Sequence, residues 1–152
     1  MKNLRTTLLC ACMLVCSVWS FGQADVARVN EPNMNKPSLF TALPEKININ
    51  TASLTNLLSI QEGTDISVNL GGKMPFAGKI ISSSNEAGVS SIVVLSANYP
   101  GARLIFSKAV IDGKELYSAR IISMEHGDLF ELKIENGQNI LVKKKYYDLI
   151  NE

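Results

Sequence analysis

The chain is poor in reactive side chains. Its 152 residues hold one His, one Trp and three Cys, and the cysteines, Cys10, Cys12 and Cys16, all lie within the first sixteen positions. A chain that loses this stretch on export can form no disulfide, build no thiolate metal site and use no cysteine nucleophile. A dominant charge is missing too: 15 Lys+Arg stand against 14 Asp+Glu, and no basic run exceeds three residues. A nucleic-acid interface is therefore not expected. Beyond residue 24 no apolar run approaches the roughly 20 residues of a helical membrane span.

What is present begins at the N-terminus. Lys2 and Arg5 precede an apolar stretch from Leu8 to Trp19, and Ser20, Phe21, Gly22, Gln23 and Ala24 follow. This layout predicts a secretory signal peptide over residues 1–24, cut after Ala24, with the bond after Gly22 as second choice. In its short basic start and small-residue end the segment resembles the export signals of Gram-negative bacteria. A membrane anchor would need a longer apolar run. Lipid attachment at Cys12, suggested loosely by Leu9-Cys10-Ala11-Cys12, would leave only about five apolar residues before the cysteine. The expected product is periplasmic or secreted, with 13 basic against 14 acidic side chains once Lys2 and Arg5 are gone.

Residues 25–38 carry Pro32, Pro37 and several asparagines without an apolar period, and read as a flexible lead-in. Residues 39–152 then read as a single β domain. Leu39 to Leu43 is a short apolar patch stopped by Pro44. Leu54, Leu57 and Leu58 repeat at helical spacing behind Asn50 or Thr51 as cap, which predicts one short helix ended before Gly63. From Thr64 onward the period is two. Ile66, Val68 and Leu70 alternate with polar residues, and Gly71-Gly72 suggests a tight hairpin into a strand from Lys73 to Ser82. A looser connection over residues 83–88 leads to Val89–Ala97, whose Ile92-Val93-Val94-Leu95 run is apolar on both faces and suggests a central strand. Ala102–Ile111, Glu115–Met124, Leu129–Glu135 and Gln138 to about Lys145 complete a seven-strand antiparallel meander.

The connections carry the sharpest local signal. Asp112-Gly113 and Asn136-Gly137 are preferred in two-residue type I′ turns, and His126-Gly127 suits that geometry less well. A two-residue turn at Asn136-Gly137 pairs Glu135 with Gln138, Ile134 with Asn139, Leu132 with Leu141 and Phe130 with Lys143. Phe130, Leu132, Ile134 and Leu141 then share one face, and Glu131 and Lys133 take the other. Seven long strands left as an open sheet would wet an apolar face, so a small barrel or barrel-like sandwich is expected, its helix plugging or covering one end. Residues 146–152 could add a helical turn or finish the last strand.

No catalytic constellation emerges. His126, between Glu125 and Asp128, is the one place where a metal or an acid/base pair could be imagined, but zinc generally needs three or four ligands, mostly His or Cys. An exposed polar turn is the simpler reading. A Ser-His-Asp hydrolase would need an oriented His, and no Gly-x-Ser-x-Gly elbow is present. Paired carboxylates among Glu115, Glu125, Asp128 and Glu131 would mark a solvated face more readily than a glycosidase. Gly71-Gly72-Lys73 lies between strands and lacks the Ser or Thr and the helix of a phosphate loop. Lys143-Lys144-Lys145 alternates across the strand, so no single face gathers a basic patch, and it reads as a solvated strand end. No catalytic, cofactor-binding or metal-ligating residue is assigned, and no cofactor is expected.

The expected function is an exported, non-enzymatic binding or protein-interaction module. Its partner would be a protein or a small molecule. Strand addition at a sheet edge would suit a protease inhibitor or pro-region-like module. The alternative is a lipocalin-like carrier of a small apolar ligand. Inward positions separate the two: Phe76, Phe106 and Phe130 pointing inward would fill the interior, whereas a carrier needs a lined void.

Overall fold

A computed structural model describes residues 35–72 and 74–149; the expected signal peptide, its three cysteines and most of the lead-in lie outside the described residues. The architecture is mainly β. Eight antiparallel strands form one curled half-barrel sheet with a single short helix. They are β1 (Lys46–Asn48), β2 (Asp65–Asn69), β3 (Pro75–Glu86), β4 (Val89–Ser96), β5 (Arg103–Ile111), β6 (Lys114–Ser123), β7 (Asp128–Glu135) and β8 (Gln138–Lys145). The meander runs unbroken from β2 to β8, as the alternation predicts. The eighth strand is β1, which pairs with β8 through Ile47 and Leu141. With only three residues it has too short a period to be read locally.

Helix α1 (Thr51–Thr55) and the 3₁₀ turn Asn56–Ser59 carry the chain from β1 to the opposite edge. The Asn50 side chain caps α1 by accepting from the Ala52 amide at 3.0 Å. Leu54 and Leu57 are buried in the same core as the sheet's inner face. That core is filled by Phe40, Phe76, Phe106 and Phe130, all without exposed surface.

Two of the predicted tight turns stand. Asp112 and Asn136 adopt φ +52° and +51° ahead of Gly113 and Gly137, and the β7–β8 register is the predicted one at every pair named above. Three connections differ. The β2–β3 link spans residues 70–74 rather than two glycines, closed by Leu70 N–H to Met74 C=O at 3.1 Å. β3 continues to Glu86, so the supposed loose connection at 83–88 is strand followed by a two-residue turn at Ala87-Gly88, with φ +50° and +79°. Serine and asparagine there disguised an exposed strand as a loop. The β6–β7 loop, residues 124–127, has positive φ only at Gly127, so His126 is not in a type I′ turn.

The curl has identifiable points of closest approach. Gly78 lies on the inner face, where a Cβ would sit 2.2 Å from the Leu95 carbonyl oxygen, so only glycine lets β3 bend this tightly over β4. A bulge between Ile80 and Ser82 follows at once and adds twist.

Candidate functional site

The structure engages Glu125 and His126 of the β6–β7 loop and Asp128 at the start of β7 with the incoming segment of the chain. Asp128 is buried, and its carboxylate accepts from Ser38 Oγ at 2.6 Å and from the amides of Leu39 and Phe40, the latter at 3.2 Å. His126 Nδ1 donates to the Pro37 carbonyl at 2.8 Å. Glu125 pairs with Lys36, whose hydrogen bond holds its carboxyl below the ordinary value. Together these side chains clamp residues 36–40 across the sheet end and seat Phe40 against Phe130, with ring centroids 5.4 Å apart. The turn is exposed at Glu125, and its polar side chains also bind this segment of the chain. Among the described residues no group of three or more His, Cys, Asp or Glu could hold a metal.

Other candidates fall to structural roles. Lys143 and Lys144 do point to opposite faces, as alternation requires, but neither is a solvated strand end. Lys143 Nζ donates to the Leu43 carbonyl at 2.6 Å and pairs with Glu45 at 3.1 Å, while lying 6.0 Å from the Phe130 ring centre. Lys144 lies 3.0 Å from Glu131. Glu131, expected on a solvated face, is only 9% exposed and also meets Arg120 at 2.9 Å and Lys133 at 3.1 Å. Burial pushes its carboxyl up, and Lys144, Lys133 and Arg120 more than reverse this, holding it at about 2. Glu115 is bound by Lys108 and Tyr117. The four carboxylates that might have formed a catalytic pair are thus each engaged by separate partners.

What remains is the seam where the half-barrel stays open. β1 and β2 are its two edges. They converge at Gly71, where a Cβ would sit 1.9 Å from the Asn48 carbonyl oxygen, so glycine is required for the approach. A groove of about 490 Å³ lies there, lined by Leu43, Pro44, Ile47, Asn48, Gly72 and Met74. Sequence reading took these glycines for a bare turn, because their contact with Asn48 is non-local.

From the groove, β2 runs as one of the sheet's two edge strands among the described residues. The bonds Leu70 N–H to Met74 C=O and Ile80 N–H to Thr64 C=O flank its ladder with β3. Antiparallel alternation then turns the backbone groups of Ile66 and Val68 toward β3, and those of Asp65, Ser67 and Asn69 away from it. The other flank of β3 is closed differently. Past the end of β4, Asn98 accepts from the Ala77 amide at 3.1 Å and donates to the Pro75 carbonyl at 2.7 Å, standing in for a strand. β2 keeps an open row at Asp65, Ser67 and Asn69. A second, shallower groove of about 470 Å³ adjoins it, lined by Asp65, Ile66, Ala77, Lys79, Leu95 and Ala97.

Comparison with protein-family profiles, curated proteins and solved structures finds no match to this chain. The reading of the site therefore rests on its own geometry.

Proposed function

We propose that this chain is an exported, non-enzymatic interaction module that binds an extended segment of a partner protein along β2. The observation that carries the reading is the open row of amide and carbonyl groups at Asp65, Ser67 and Asn69, with one groove beyond the Asn69 end of the strand and a shallower one over Asp65, Ile66 and the neighbouring residues of β3 and β4. A peptide laid against such an edge gains main-chain hydrogen bonds, and its alternate side chains find the grooves. The phenylalanine-filled interior favours this over the carrier alternative, which needs a void.

The test is a photo-crosslinking residue placed at Ser67, with Asn136 at a distant hairpin tip as control, in the chain expressed in an exporting bacterial host. A single partner, attached through one extended segment, should appear at Ser67 and not at Asn136. Ser67→Pro removes only an outward-facing amide, so it should keep the melting temperature and lose the partner. Equal labelling at both sites, or a partner retained by the proline variant, would sink the edge-strand reading. Export is checked by intact mass: the chain should begin at Asp25, and a mass retaining residues 1–24 or carrying lipid at Cys12 defeats the proposed processing.

A further inference from the structure

The polarity of the open edge at β2 reads the same in both directions. Asp65-Ile66-Ser67-Val68-Asn69 alternates polar and apolar residues symmetrically about Ser67, with the polar members exposed and Ile66 and Val68 half-buried against the core. The strand also lacks the devices that keep a sheet edge from pairing: it holds no proline and no lysine, and its register with β3 runs from Asp65–Lys79 to Asn69–Pro75 without a bulge. Its one charge, Asp65, stands at the end of the row. The other edge is built differently. β1 is three residues long, and the bonds Lys143 N–H to Glu45 C=O and Ile49 N–H to Asn139 C=O leave only Lys46 and Asn48 turned away from β8, the latter with its carbonyl against Gly71.

We propose that β2 pairs with β2 of a second copy of this chain, antiparallel about a twofold axis at Ser67. The inference rests on the edge-strand reading above and names its partner. The axis sets Ser67 opposite the partner's Ser67 and Asp65 opposite the partner's Asn69. Because these three residues all turn their backbone groups outward, every amide and carbonyl of the row then meets its complement in a hydrogen-bonded pair. Ile66 falls opposite the partner's Val68 on the inner face, a β-branched cross-strand pair that covers what each leaves exposed.

The charges near the edge suit this register. The two Asp65 carboxylates stand four residues apart along the paired strands, about 14 Å, which exceeds a Debye length at physiological salt. Each keeps Lys79 of its own chain at 3.9 Å. Glu62, the acid just before the strand, falls level with the partner's Gly72. A parallel pairing would instead set the two Asp65 side by side. With β2 used, each copy offers only the three-residue β1 as a free edge among the described residues, so the pairing closes at two chains rather than growing into a fibre.

Sedimentation velocity of the exported chain over a range of concentrations should resolve a monomer–dimer equilibrium. Ser67→Lys and Ser67→Glu each set two like charges across the axis and should each weaken the dimer by about tenfold or more, whereas an equimolar mixture of the two should restore it. At a concentration where the parent is monomeric both variants should melt like it, since Ser67 is exposed. In the crosslinking experiment the segment attached at Ser67 should be residues 65–69 of the same sequence. A dimer that persists in Ser67→Lys, or a mixture no more associated than its components, overturns the proposal. So does a parent chain that stays monomeric at the concentrations used for crosslinking. If Ser67 then labels a different protein through one extended segment, the edge-strand reading stands and only the second copy is lost.

Discussion

The two ends of the strands are built on different principles. At one end the links at residues 97–102 and 124–127 and the incoming segment 36–44 interlock. Ser96 and Ala102 are bonded across their loop at 2.9 Å, Tyr146 N–H reaches the Gly127 carbonyl at 2.8 Å, and Asp128 accepts from the amides of Leu39 and Phe40. Phe40 then packs between Tyr99 and Phe130. At the other end three hairpins turn at Ala87-Gly88, Asp112-Gly113 and Asn136-Gly137, and the aliphatics nearest the turns stay exposed, Ile134 at 73%. One end is fixed by tertiary contacts between distant segments; the other is fixed by backbone geometry within four residues. Substitutions of equal size should therefore have unequal effects at the two ends.

The largest effect belongs to Phe40→Ala, which empties a fully buried aromatic site and should cost about 3–5 kcal/mol. Asp128→Ala should cost about 2 kcal/mol by leaving the Leu39 and Phe40 amides without their acceptor. Because both act through the same clamp, the double variant should lose less than the sum, by about 1 kcal/mol. Urea titration of the four chains in one cycle measures this. Strict additivity would mean that Asp128 does not seat Phe40, and the contrast between the ends would lose its basis.

How much of this was legible follows the same division. The hairpin end was written locally: Asn136-Gly137 set the β7–β8 register residue by residue, and it is the register observed. The clamp end was not. Leu39–Leu43 stood out as an apolar patch, but nothing within ten residues says that Phe40 docks between Tyr99 and Phe130. Asp128 looked like one more turn carboxylate because its donors lie some ninety residues earlier. β1 escaped for a related reason, since three residues become a strand only when β8 offers an edge. Pattern reading succeeded with Phe130, where period two and burial agree, and Phe76 and Phe106, whose placement separates a filled interior from a void, also point inward. It failed at Glu131, whose parity is outward as expected but whose surroundings are three cations supplied by three strands.

Glu131 gives the intermediate case, between the clamp and the tips. Removing it leaves Arg120, Lys133 and Lys144 clustered without their carboxylate, and Glu131→Ala should cost about 2 kcal/mol near neutral pH. The folded-state carboxyl is held at about 2, below its ordinary value of 4.5. The lowered value means the ionised form is the stabilised one, so its contribution is complete above the unfolded value and is lost as pH falls through the folded one. The stability gap between parent and Glu131→Ala should therefore narrow from about pH 5 toward pH 2. A gap constant over that range, followed by urea midpoints, would show that the carboxylate's charge is not what stabilises this face.

The smallest effect is expected at the tips, and it has a sign that contact-based reasoning would miss. Ala87 adopts φ +50°, in the left-handed region where a Cβ is unfavourable, while the same turn position in the other two hairpins is occupied by Asp112 at +52° and Asn136 at +51°. Asn and Asp tolerate this conformation because their short polar side chains bond locally to the backbone. Ala87→Asn should therefore stabilise the fold by about 0.5–1 kcal/mol, and Asn136→Ala should destabilise it by a similar amount, although neither change touches the core. The flanking pairs Glu86–Val89 and Glu135–Gln138 are formed in both hairpins, so the two substitutions exchange the same residue types in the same local frame. Melting curves of the two variants should move in opposite directions by comparable steps. Movement in the same direction would mean that something other than turn conformation sets stability at this end, and that the hairpin tips are not governed by local geometry alone.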